Sequence, residues 1–267
     1  MQLRVLLIGD IVGAPGMKLV ERAVPRLRAR EGLELVVANA ENAAGGAGIT
    51  RALAERLFAA GVDLITLGDH AFDRREALRY LAEERRLVRP LNYSRRAVGR
   101  GLTLYDTPSG YTVGLFQLQG RAFIDRPADC PFAAADEAVR ELGGRARVLL
   151  CDMHAEATSE KMAMGWHLDG RASAVFGTHT HVPTADERVL PGGTAYITDL
   201  GMSGPYESVI GSRIEPVLAY FTTGMPHRFG VATGDVRLCG AVVTVEPETG
   251  RALGIRRLQL RAEEVAG

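Results

Sequence analysis

The sequence lacks a charge excess: Lys plus Arg and Asp plus Glu both number 32, so the formal net charge is zero. A protein that holds nucleic acid carries a basic surplus, so a stable nucleic-acid complex is not expected. Local basic groups, such as Arg85, Arg86 and Arg89 or Arg95, Arg96 and Arg100, read as solvated surface. Cysteine is scarce as well. Cys130, Cys151 and Cys239 are odd in number and far apart, which excludes a disulfide framework and points to a reducing, cytoplasmic compartment. No apolar run approaches the roughly 20 residues of a membrane span. The opening MQLRVLLIGD is too short, and charged too soon, for a secretory leader. What is present is a 267-residue chain of ordinary globular composition, long enough to bury a sizeable core.

Apolar periodicity organises the first third. Strands are expected at 4–9, 35–40 and 64–67, alternating with helices at 17–30, about 52–60 and 74–84. Continuous apolar strands alternating with helices argue for a parallel sheet covered on both faces. Strands at 102–105 and 112–119 flank the turn signal Pro108-Ser109-Gly110. A helix at 133–142, a buried strand at 148–153, a helix at 158–165 and short strands at 174–177 and 195–198 follow. The stretch from Val236 reads as a hairpin turned at Glu248-Thr249-Gly250. No repeat, low-complexity tract or linker divides the chain, so one two-sheet domain over residues 1–267 is the economical reading.

Polar clusters sit where these strands end: Gly9-Asp10, Glu41-Asn42, Gly68-Asp69-His70, His154, and Gly177-Thr178-His179-Thr180-His181. Ligand sites in open α/β sheets form at the carboxyl ends of strands, so strands sharing one sheet would bring the clusters to one rim. Carboxylates with neutral imidazoles and no nearby thiolate suit Mn, Fe or Zn better than Ca. In an extended segment, His179 and His181 would point to the same side, one towards each of two adjacent metals, with Glu41 or a water bridging. Two metals roughly 3.5–4 Å apart activate a hydroxide and clamp the attacking and leaving oxygens, which suits phosphate esters.

Each piece alone has a plainer reading. A strand-end Asp such as Asp10 caps a turn or helix, and Glu41-Asn42 before Ala43–Gly46 serves turn chemistry. The glycines of 43–48 lack the P-loop Lys, and Gly9–Gly13 lacks dinucleotide spacing. Cys151 and His154 face opposite sides of a strand, so Cys151 belongs to the core. Asp152 and Asp199 are set equally between supporting a ligand and satisfying loop amides. Met162, Met164 and Trp166 are expected to pack helix against sheet. Asn92, Arg121 and Arg171 are candidate phosphate contacts, weighed against surface or structural roles.

The segments Gly9-Asp10-Ile11-Val12-Gly13, Ala40-Glu41-Asn42-Ala43-Ala44, Arg89-Pro90-Leu91-Asn92, Leu118-Gln119-Gly120-Arg121, 154–186 and Thr194–Asp199 resemble the calcineurin-like metallophosphoesterases. The resemblance is to the YmdB branch of bacterial cyclic-nucleotide phosphodiesterases, which shares Val12 where the wider superfamily has histidine. It implies an α/β fold, a four-layer α/β/β/α sandwich of two mixed sheets, with a dinuclear iron or manganese centre. Asp10, Glu41, Asn42 and His181 would bind one metal. Glu41, Asp69, His154 and His179 would bind the other, and His70 would protonate the leaving alkoxide. The implied reaction is attack of a metal-bridging hydroxide on 2′,3′-cyclic nucleotides, with 3′,5′-cyclic nucleotides a further class. Homo-oligomers are usual in the family.

Asp69 departs from the family's Asn. With Asp10 and Glu41 it brings a third negative charge to two divalent ions, leaving about +1 before the hydroxide neutralises it. Weaker attraction for phosphate, or a preference for one trivalent iron, follows. The alternative from another class is a metal- or nucleotide-binding regulatory protein with little turnover. A metal-dependent amidohydrolase would instead place its His-x-His after the first strand.

Overall fold

The structure, a computed structural model, describes residues 2–265. Residues 1, 266 and 267, the ends of the span expected for the domain, lie outside the described residues. In chain order the elements are β1 (Leu3–Ile8), β2 (Asp10–Ile11), α1 (Gly13–Glu31), β3 (Leu35–Asn39), α2 (Arg51–Ala59), β4 (Leu64–Thr66) and α3 (Ala77–Glu83). Then come β5 (Leu87–Val88), β6 (Leu102–Asp106), β7 (Thr112–Gln119), α4 (Pro131–Leu142), β8 (Val148–His154), α5 (Thr158–His167) and β9 (Ala174–Thr178). The chain continues through β10 (Arg188–Val189), β11 (Ala195–Ile197), β12 (Met202–Glu207), α6 (Ile214–Thr223), β13 (Gly234–Val245) and β14 (Ala252–Arg261).

Two mixed sheets result. One has eight strands in the order β2-β12-β13-β1-β3-β4-β5, with β14 also paired to β13; the other has six, β10-β11-β9-β8-β7-β6. In the first sheet β1 runs parallel to β3 and antiparallel to β13. In the second, β7, β8, β9 and β11 form a parallel core.

Side-chain alternation explains the layering. On β1, Leu6 and Ile8 join Met17, Val20, Val24 and Leu27 of α1, while Val5 and Leu7 point the other way. Those two meet Leu115, Leu150, Phe176 and Ile197 of the second sheet. On β8, Leu149, Cys151 and Met153 face outward, against Ala135, Ala138 and Leu142 of α4 and Met164 of α5. Three apolar cores therefore separate helices, sheet, sheet and helices, the four-layer sandwich the resemblance implied. Each Leu, Ile or Val so buried contributes roughly 1.5–3 kcal/mol.

Local signals set the helix ends. Thr50 caps α2 by accepting from the Leu53 amide, and Gly32 ends α1 in the left-handed region at φ 62°. Helix α3 is shorter than the 74–84 expected, because Arg75 and Glu76 form a turn before it. Met164 packs as expected, but Met162 and Trp166 do not: both side chains are exposed, since α5 presents only one face to the sheet.

Candidate metal centre

The polar clusters come together, but from two facing sheets rather than from one rim. Asp10 begins β2, Glu41 and Asn42 follow β3, and Asp69 and His70 follow β4. His154 ends β8 and His179 follows β9. On β8 the inward positions are Val148, Leu150, Asp152 and His154, so the layer between the sheets is apolar until its last turn and ionisable thereafter.

His154 is fully buried, and its two ring nitrogens have different duties. Its Nδ1 lies 2.8 Å from Thr178 Oγ1, whose single proton is donated to Asp152 Oδ1 at 2.7 Å. Thr178 therefore accepts from Nδ1–H, and Nε2 is left for the site. Around Nε2 stand Asp69 Oδ1 at 3.0 Å, His179 Nδ1 at 3.1 Å and Glu41 Oε1 at 3.2 Å. Four acceptors crowded together demand a cation, either a proton or a metal ion. Ligand atoms of Glu41, Asp69, His154 and His179 all lie within 4.8 Å of one another, a donor set fit for a metal ion. In the metal-free protein the same crowding acts on protons. Burial opposes charge on His154, but Glu41 and Asp69 outweigh it and raise its pKa well above the usual value. Burial likewise opposes ionisation of Asp69, yet hydrogen bonds from His154 and His179 hold its carboxyl well below the ordinary range.

A second convergence involves His181, Asn42 and Asp10. His181 Nδ1 is 2.8 Å from the Ile210 carbonyl, so Nδ1–H donates there and Nε2 carries the lone pair. Asn42 donates its amide to the Gly46 carbonyl, which turns Oδ1 towards His181 Nε2 at 3.3 Å; Asp10 Oδ1 is 3.9 Å from the same nitrogen. Lone pairs of these three side chains face one another here too. Gly68 permits the approach of the two sheets at this point. A Cβ there would stand 2.3 Å from Glu41 Oε2 and 2.4 Å from His154 Nε2.

The segment bearing His179 and His181 is not extended, contrary to the sequence expectation. Both residues have positive φ, 95° and 64°. The Asp10 carboxylate accepts the His179 amide at 3.2 Å, and Asp199 Oδ2 accepts the Thr180 hydroxyl at 2.6 Å. These anchors, rather than strand pleat, aim the two rings. Asp199 is itself paired with buried Lys161 at 2.6 Å, a residue of α5 that nothing in the sequence marked out. Asp152 reaches His154 through Thr178, and burial pushes its carboxyl up to about 6.

His70 lies at the cleft edge. Its amide donates to Glu41 Oε2 at 3.0 Å, and its Nδ1 is 2.7 Å from Asp73 Oδ2. Arg126 steadies Asp73 from the other side at 3.0 Å. Burial lowers the His70 pKa, but Glu41, Asp69 and Asp73 together raise it. Asn92 is buried and donates to the carbonyls of Gln119 and Asp129, a scaffold role. Arg171 is tied to Asp136 at 2.6 Å, and the Arg121 amide donates to Glu160. The cleft over the cluster has a volume of about 570 Å³, and neither arginine lines it.

Against known proteins, residues 6–258 match the family described as YmdB-like protein. The chain is 43% identical over 263 residues to the 2′,3′-cyclic-nucleotide 2′-phosphodiesterase of Bacillus subtilis (strain 168), covering 98% of this chain and 99% of that one. Among solved structures, a hypothetical protein from Thermus thermophilus superposes with a TM-score of 0.89 at 45% identity, covering 97% of this chain and 99% of that chain. A novel phosphatase from Mycoplasma pneumoniae superposes with a TM-score of 0.92 at 31% identity, covering 98% and 94%. With an end-to-end match in sequence, two facing mixed sheets and a carboxylate–histidine cluster between them, the chain belongs to the YmdB-like family of metallophosphoesterases.

Proposed function

We propose that this protein is a phosphodiesterase that hydrolyses 2′,3′-cyclic nucleotides at the cluster with the help of two metal ions. The observation carrying this reading is the convergence of Glu41, Asp69, His154 and His179 donor atoms within 4.8 Å. The substrate class is drawn from the Bacillus subtilis relative, named for that reaction. Asp10, Glu41, Asn42 and His181 would hold one ion, and Glu41, Asp69, His154 and His179 the other. Bound there, such ions supply Lewis acidity that acidifies water and offsets phosphoryl charge.

His70 supplies the proton. Asp73 accepts from its Nδ1, which leaves Nε2–H of the imidazolium for the departing sugar oxygen as the P–O bond breaks. The negative groups that raise its pKa favour this protonated form. The product is a nucleoside monophosphate.

Iron or manganese heads the choice of metal, with zinc third, and 3′,5′-cyclic nucleotides are a further substrate class to assay. The three cysteines are free thiols, which supports a cytoplasmic setting. Among the described residues no helix is long and apolar enough to cross a membrane. We read the whole chain, 1–267, as one catalytic domain working as a homo-oligomer on a small-molecule diester. The test is turnover after metal reconstitution. Hydrolysis of 2′,3′-cyclic AMP, abolished by chelation and restored by Mn or Fe, is expected. Metal-loaded protein inert towards both this substrate and bis-p-nitrophenyl phosphate would end the reading.

A further inference from the structure

We propose that Phe229 and Ile210 form a stacking platform for a nucleobase, so that the cleft selects single nucleotides over base-free phosphates. This rests on the phosphodiesterase reading and names the part of the substrate that the ligand cluster leaves unaccommodated.

The cleft is larger than its chemistry requires. Its volume of about 570 Å³ falls within the roughly 300–1,000 Å³ of pockets that hold whole small ligands. Its polarity is divided. Its lining includes the polar Glu41, Asn42, His70, His179 and His181 and the apolar Ile210, Phe229 and Val231. Phe229 is 46% exposed and Ile210 55% exposed, so both have apolar surface open to a ligand.

The apolar residues are tied to the backbone beside the cluster. Ile210 lines the cleft and gives its carbonyl to His181 Nδ1, so platform and cluster are joined through one residue. A β-branched residue at φ 45° is strained, by about 1–3 kcal/mol. The neighbouring backbone pairing holds it there: Arg213 N donates to the Gly230 carbonyl at 2.8 Å and Ala232 N to the Gly211 carbonyl at 2.9 Å. Phe229 is braced edge-to-face by Tyr220, with centroids 5.8 Å apart. A diester whose phosphorus sits at the cluster must project its substituent along this cleft. An aromatic wall matches the flat face of a base. With zero net charge the protein has no overall basic surplus to attract a polymer backbone, which favours one nucleotide over a strand.

The experiment compares equilibrium binding of adenosine 3′-monophosphate and of its base-free counterpart, ribose 3-phosphate, by calorimetry on the metal-loaded protein. A preference of about tenfold for the nucleotide is expected, the size of one base–aromatic stack. Phe229→Ala should reduce the preference to about unity, and Phe229→Trp should keep it. No preference in the unaltered protein, or one that survives Phe229→Ala, overturns the proposal. So does Phe229→Ala weakening self-association in the ultracentrifuge while the preference stands, because the wall then belongs to a second copy. Turnover of a base-free cyclic diester by the unaltered protein tests the phosphodiesterase reading separately, so the two failures are distinguishable.

Discussion

His70 and Asp69 are neighbours in sequence with opposite tasks in the proposed reaction. His70 hydrogen-bonds Asp73 at 2.7 Å and has a raised pKa, so it is the group able to give up a proton. Its acid form is the active one, so kcat should fall as pH rises through that raised pKa. Asp73→Asn removes a negative partner, lowers the pKa and moves this alkaline limb to lower pH; an unmoved limb would show that the pair does not set it. His70→Ala should lower kcat about 10²–10⁴-fold with metal content retained, and normal hydrolysis by that variant contradicts the proton-donor role. Asp69 instead faces His154 and His179 and adds a negative charge where an amide would add none. Asp69→Asn should strengthen competitive inhibition by inorganic phosphate several-fold. Equal inhibition of both proteins would show that this charge does not govern anion affinity.

At the scale of elements, the strand ends carry the site and the segments after them aim it. Thr178 links His154 to Asp152 between β8 and β9, so Thr178→Val should weaken metal affinity about 10–100-fold. Unchanged affinity by competitive chelation would contradict this. Lys161 pairs with Asp199 beneath the His179–His181 segment, and Lys161→Met leaves a buried carboxylate without its cation. A loss of about 3–5 kcal/mol is expected, and an unshifted denaturant midpoint would refute it. Much of this was legible in sequence. The alternation of Val148–His154 told inward from outward residues, and every polar strand end was visible. The orientation of His179 and His181 was not, because positive φ follows from remote anchors on Asp10 and Asp199. Strand β12 was missed because Gly204 and Pro205 both disfavour strand, although pairing to β2 and β13 makes it one. Helix α6 escaped although Ile214, Val217, Leu218 and Phe221 recur at helical spacing, a stripe of which it buries Val217 and leaves the other three exposed.

Over the whole molecule, two sheets pack face to face and leave their ionisable residues at one end of the shared layer. The apolar core of Leu7, Val37, Leu150 and Phe176 fixes the separation of the sheets, and so the spacing of ligands contributed by each. That dependence is why composition could exclude function classes but not locate the centre: the donors lie on either side of an interface that only tertiary packing creates. The direct test is anomalous diffraction from crystals grown with Mn or Fe. Two peaks per chain are expected, one beside Asp10, Asn42 and His181 and one beside Asp69, His154 and His179, with Glu41 reaching both. Peaks elsewhere, or none at these residues in protein that turns over substrate, would contradict it.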